Sequence, residues 1–125
     1  TFTTPPNLQA AVAYGLSKDN TYFENLANNL QECRDLLKGG LEDIGFKVLI
    51  CEGSYFITAD FRPLDFNGND EEFCGYITTK AKVAAVPVSA FYQGKSAEHF
   101  ARFCFCKEKL TLQKAIERLK THFAG

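Results

Sequence analysis

The sequence contains no methionine and opens on Thr1, so as written it reads as a processed or excised piece of a longer product. It has no apolar run long enough to span a bilayer. Residues 1–7 are polar and proline-bearing, without the basic start and apolar stretch of a signal peptide, so the expectation is a soluble chain with no membrane partner. An excess of one charge is also missing: 14 basic and 15 acidic residues leave a net charge of -1, and neither sign is gathered into a block. That excludes an extended surface for nucleic acid or anionic lipid. An even set of cysteines is lacking. The five at 33, 51, 74, 104 and 106 are scattered through apolar patterns, which suits buried free thiols in a reducing, intracellular compartment, with cytoplasm, mitochondrion and plastid left open.

Metal and hydrolase chemistry lack their parts as well. Cys104 and Cys106 share a strand face, but there is no second ligand pair and only His99 and His122 could add imidazoles, so no metal site is expected. Neither Ser89 nor any cysteine stands in a nucleophile motif, and no glycine-rich phosphate loop follows a strand.

What is present is enough apolar side chain, 46% of 125 residues, for one core. After Pro5 and Pro6, Asn7 can cap a short helix carrying Ala10 to Leu16. Thr21 and Glu24 have the spacing of a capping box. Beyond them Phe23, Leu26, Leu30, Cys33, Leu37, Leu41 and Ile44 recur at three- and four-residue steps, which predicts a long helix. Gly39 and Gly40 fall off that stripe, where a bend is allowed, and Gly45 sits at the expected left-handed cap. Residues 46–51 and 54–60 read as a hairpin closed tightly by Glu52 and Gly53. A loop over 62–69 leads to a helix capped by Asn69 or Asp70 and carrying Phe73, Tyr76 and Ile77. Residues 83–86 form a strand stopped by Pro87; residues 100–106 form another after a loop. Leu112, Ala115, Ile116, Leu119 and Phe123 mark a closing amphipathic helix. The order predicts one α/β (α+β) domain over 1–125: an interdomain helical segment at 1–45, and at 46–125 a two-layer sandwich with about four mostly antiparallel or mixed strands covered by helices.

Within residues 100–106, two-residue periodicity puts Arg102 with Phe100, Cys104 and Cys106, opposite Ala101, Phe103 and Phe105. A guanidinium among apolar neighbours needs an anion. Two partners fit: an internal Asp or Glu, or the carboxylate of a ligand.

Three segments then add a resemblance: residues 83–91 (VAAVPVSAF), residues 101–105 (ARFCF), and Leu112 with residues 115–119 (AIERL). Together they resemble the end of fold-type I aminotransferases, in the branch of kynurenine, glutamine and methionine aminotransferases and cysteine-conjugate lyases. Residues 2–13 (FTTPPNLQAAVA) are similar to that family's segment before its long interdomain helix, and residues 53–56 (GSYF) to its glycine-aromatic hairpin.

The resemblance implies a C-terminal small domain of an enzyme that moves an amino group between an amino acid and a 2-oxo acid on pyridoxal 5'-phosphate. Arg102 would hold the substrate α-carboxylate, and Tyr55, Phe56, Ser89 and Phe91 would lie beside the pocket, where a plain loop turn and core aromatics are an equal reading. Phe2 and Thr3 would reach the neighbouring subunit's site in a homodimer. The Schiff-base lysine, the acidic partner of the pyridine nitrogen and the phosphate cradle would all lie before Thr1. No catalytic or cofactor-binding residue is therefore expected in this chain, which alone would be inactive, and none of its ten lysines stands in the family's lysine motif. The rival expectation is a stand-alone amino-acid-binding or interaction module without catalysis; a further one is a structural piece that self-associates through an exposed interdomain surface.

Overall fold

A computed structural model describes residues 3–124. Helix α1 (Pro6–Leu16) starts with Pro6 in its first turn, where its missing N–H is no loss. Asn7 therefore lies inside the helix and does not cap it. Helix α2 (Asn20–Ile44) is capped by Asp19, whose side chain accepts from the Thr21 amide, so the Thr21–Glu24 capping box does not form. Its apolar stripe is covered only in the second half: Cys33, Leu37 and Leu41 are buried, whereas Phe23 and Leu26 are exposed. Gly45 ends it in the left-handed region at φ 119°.

Strand β1 (Lys47–Val48) pairs antiparallel with β2 (Phe56–Asp60), Lys47 opposite Asp60. The hairpin is present, but the connection is a loop over 49–55 and not a two-residue turn, because pairing stops after the Leu49 amide bonds the Thr58 carbonyl. A 3-10 turn (Arg62–Leu64) leads to α3 (Asp70–Lys80), where Asn69 and Glu72 make the reciprocal capping box. Strand β3 is Val86–Pro87, not 83–86: Pro87 sits inside it, which an edge strand tolerates. A second 3-10 turn (Val88–Phe91), a loop, β4 (Phe100–Cys104) and α4 (Lys109–Phe123) complete the chain. The sheet order is β1-β2-β4-β3, antiparallel throughout, which is the sandwich expected from the pattern.

One face of the sheet is the core. Ile57, Ala59, Ala101 and Phe103 pack there against Leu37 and Leu41 of α2, Phe73 and Ile77 of α3, and Leu112 and Leu119 of α4. The other face carries Phe56, Thr58, Phe100 and Arg102, none fully buried. Of the five cysteines, all free, Cys33 and Cys74 are buried and Cys51 half-buried, but Cys104 and Cys106 are exposed because they follow the uncovered face. Burial first, and then the charge of Asp70, push the Cys74 thiol up to about 12, so it stays protonated and inert.

Helix α2 runs unbroken through its glycine pair, and the two glycines differ. A Cβ on Gly40 would lie 2.5–2.7 Å from three carbons of Ile116, so its bareness is what lets α4 approach, whereas Gly39 faces open space. Gly40→Ala is expected to destabilise the fold by about 1–3 kcal/mol through overpacking. Gly39→Ala should stabilise it by up to ~1 kcal/mol through helix propensity. Urea unfolding of both variants decides the point: shifts of the same sign would contradict this packing.

Candidate functional site

Arg102 stands at the centre of β4, between Thr58 of β2 and Val86 of β3 in register. Its Cζ lies 3.4 Å from the centroid of the Phe56 ring, 5.2 Å from that of Phe91 and 5.9 Å from that of Tyr55. Strand pairing explains the first contact, since Phe56 is two residues along from Thr58, the partner of Arg102, and so on the same sheet face. The 3-10 turn after β3 brings Phe91 in from the other side. Phe56 and Tyr55 are themselves edge to face, with centroids 5.4 Å apart. The guanidinium thus rests on an aromatic floor, which fixes its plane without using its donors.

Those donors are almost idle. Arg102 Nη2 donates to the Tyr55 hydroxyl across 3.5 Å, a long contact. Among the described residues it forms no ion pair. The contrast with the other three arginines is the informative point. Arg34 pairs with Asp35 and also donates to the Cys51 carbonyl. Arg118 donates to the Lys82 carbonyl. Arg62 grips Asp60, whose burial opposes ionisation but is outweighed by hydrogen bonds and charge from Arg62, so its carboxyl lies below the ordinary value. The internal Asp or Glu partner that the sequence allowed for Arg102 is absent among the described residues.

The structure therefore gathers Arg102, Tyr55, Phe56 and Phe91 of the residues singled out from sequence. Ser89 is half-buried, and its hydroxyl and amide are both taken by Asp70. Thr3 is exposed in the approach to α1, and Phe2 lies outside the described residues. Sequence reasoning missed Asp70 as anything beyond a possible helix cap. No local signal marks it, because its partner is 19 residues away. A groove of about 450 Å³ also opens between β3, β4 and α4, but among the described residues Arg102 is the only predicted one that borders it, so they do not converge there. None of the ten lysines is buried.

An open sheet face bearing a stacked, unpaired guanidinium can bind a planar anion through two parallel hydrogen bonds. Comparison with known proteins bears on which anion. The family model "Aminotransferase class I and II" matches residues 1–119. The chain is 41% identical over 120 residues to the probable N-succinyldiaminopimelate aminotransferase DapC of Mycobacterium tuberculosis, covering 89% of this chain and 30% of that protein. It is 32% identical over 139 residues to human kynurenine–oxoglutarate transaminase 1, covering 95% of this chain and 33% of that protein. The methionine aminotransferase of Escherichia coli is 32% identical over 120 residues, 96% of this chain and 31% of that protein. The solved structure of the Mycobacterium tuberculosis N-succinyldiaminopimelate aminotransferase superposes with a TM-score of 0.83 at 42% identity, over 90% of this chain and 29% of that one. The chain thus spans about 30% of the length of the curated relatives it matches.

Proposed function

This chain belongs to the class I and II aminotransferase family, and we propose that it is the C-terminal small domain of a longer transaminase polypeptide, in which Arg102 binds the α-carboxylate of each substrate. The observation that carries this reading is that Arg102 has its plane fixed by Phe56 while, among the described residues, it forms no ion pair and makes one long side-chain bond, to the Tyr55 hydroxyl. Amino donor and 2-oxo acid differ in side chain and in the group at the α-carbon, but both keep the carboxylate beside it. One bidentate cation can therefore serve both half-reactions, and discrimination among side chains falls to the neighbours, Tyr55 and Phe91. Both are more than half exposed here, at 51% and 60%, as expected of side chains that meet a ligand or a covering domain.

The family depends on pyridoxal phosphate, and the described residues do not fit a holder for it. All ten lysines are exposed, without the desolvated setting that activates an amine toward a carbonyl. The chain's contribution is to bind and orient, and the cofactor belongs to the part of the polypeptide that the relatives have and this chain does not contain. A second copy completes the reading: Phe2 and Thr3 would line the neighbouring subunit's pocket in a homodimer.

The test is amino-group transfer by the longer polypeptide loaded with cofactor, with kynurenine, methionine or N-succinyldiaminopimelate as donor and 2-oxoglutarate as acceptor. Glutamate should appear with at least one donor. Cofactor binding without transfer to any 2-oxo acid, from these or any other amino acids, would overturn the reading.

A further inference from the structure

We propose that Asp70 is a positioning residue for the Arg102 site, acting through Ser89 to hold the turn that presents Phe91. The inference rests on the carboxylate reading of Arg102 and adds a residue to it.

Asp70 is the first residue of α3 and only 1% exposed. Its Oδ2 accepts from the Ser89 amide at 2.7 Å, and its Oδ1 accepts from the Ser89 hydroxyl at 2.9 Å. Among the described residues it forms no ion pair. A buried carboxylate is costly, and the two bonds to Ser89, with the positive end of α3 around it, are what offset that cost here. The whole side chain is thus committed to one residue in the Val88–Phe91 turn.

That turn has little else to fix its far end. Val88 is buried, but Phe91 is 60% exposed, so burial does not hold its ring beside the guanidinium. The backbone does: the Tyr92 amide bonds the Ser89 carbonyl at 3.1 Å, closing the turn on the residue that Asp70 grips. Upstream, Val86 pairs with Arg102 itself. A carboxylate on α3, a serine clamp and an aromatic wall therefore form one mechanical link to the Arg102 plane, whose Cζ is 5.2 Å from the Phe91 ring. Loosening the clamp lets Phe91 drift and widens the mouth in which a carboxylate must dock.

The experiment compares Ser89→Ala, Asp70→Ala and Asp70→Asn with Arg102→Ala in the cofactor-loaded longer enzyme, using the donor of highest turnover and 2-oxoglutarate. Asp70→Ala, which removes both bonds, should raise KM for donor and acceptor alike by roughly tenfold with kcat little changed, as slack in a positioning group does. Ser89→Ala, which keeps the amide bond to Asp70, should raise it in the same way but by less. Asparagine can still accept from the Ser89 amide and donate to its hydroxyl, so Asp70→Asn should recover most of that affinity. In an Arg102→Ala background, Ser89→Ala should add nothing, because the clamp acts only through that site. Hydrogen exchange at residues 88–92 should quicken in Ser89→Ala. Should Asp70→Ala fail to fold, Ser89→Ala and the double variant decide alone. Faster exchange with unchanged KM, or a Ser89→Ala effect that persists in full without Arg102, would overturn the clamp while leaving the anchor standing. An unchanged KM in Arg102→Ala itself would remove the anchor, and the clamp with it.

Discussion

Arg102→Ala should lower kcat/KM for both the amino acid and the 2-oxo acid by roughly thirty-fold to several thousand-fold, corresponding to about 2–5 kcal/mol for truncating one partner of a desolvated charged pair. Thermal stability should hardly move. The reason is the pairing pattern: removing Arg102 orphans no carboxylate, and its one side-chain bond is the 3.5 Å contact to the Tyr55 hydroxyl. A structural arginine would behave in the opposite way. Arg62→Ala, for comparison, would strand the buried Asp60, and its effect should appear in unfolding. Arg102→Lys should fall between wild type and alanine, since a lysine keeps the charge but not the two-pronged donor geometry or the stack on Phe56. The measurement is steady-state kinetics in both half-reactions on protein with matched cofactor content and matched Tm. Equal kinetics in wild type and Arg102→Ala would refute the anchor.

Phe73→Ala should destabilise the domain by about 3–5 kcal/mol, the usual loss for a large aromatic removed from a core. Phe73 is fully buried and is the hub of an aromatic cluster. It stacks on Phe61 with centroids 4.2 Å apart, meets Phe46 and Phe66 edge to face at 5.9 and 5.1 Å, and lies 6.2 Å from Phe123 of α4. The cavity would open where α3, α4 and the sheet meet, so no single element can collapse into it. A loss of that size is a large share of the total stability of an ordinary domain, ~5–15 kcal/mol. It should lower Tm by roughly 10–20 °C. Tyr92→Ala, at a ring 61% exposed, is the control and should stay within ~0.5 kcal/mol. Urea denaturation of both variants measures the difference, and a Phe73→Ala midpoint close to that of Tyr92→Ala would show that the cluster is not a packing hub.

Much of the architecture was legible in the sequence because it is written in periods. The three- and four-residue stripe that marks α2 as a helix, the Asn69 cap of α3 and the alternation through Arg102 are local patterns, and each is present in the structure. The misreadings are local too, but each was settled by competition. Asp19 precedes Thr21 and captures its amide first, and Pro6 enters the first turn of α1 without help from Asn7. Pro87 did not stop β3, because only an edge position decides whether its missing donor matters.

By itself, then, the sequence determined the order of helices and strands, the face on which Arg102 stands, and a family resemblance that the comparisons established. Those depend on side-chain spacing and chain order. The tertiary structure alone decided that Arg102 lacks an internal carboxylate, that Phe56 lies beneath it, that Gly40 makes room for Ile116 and that Asp70 holds Ser89. Each of these is a contact between residues far apart in the chain, and no local period encodes which distant atoms will meet.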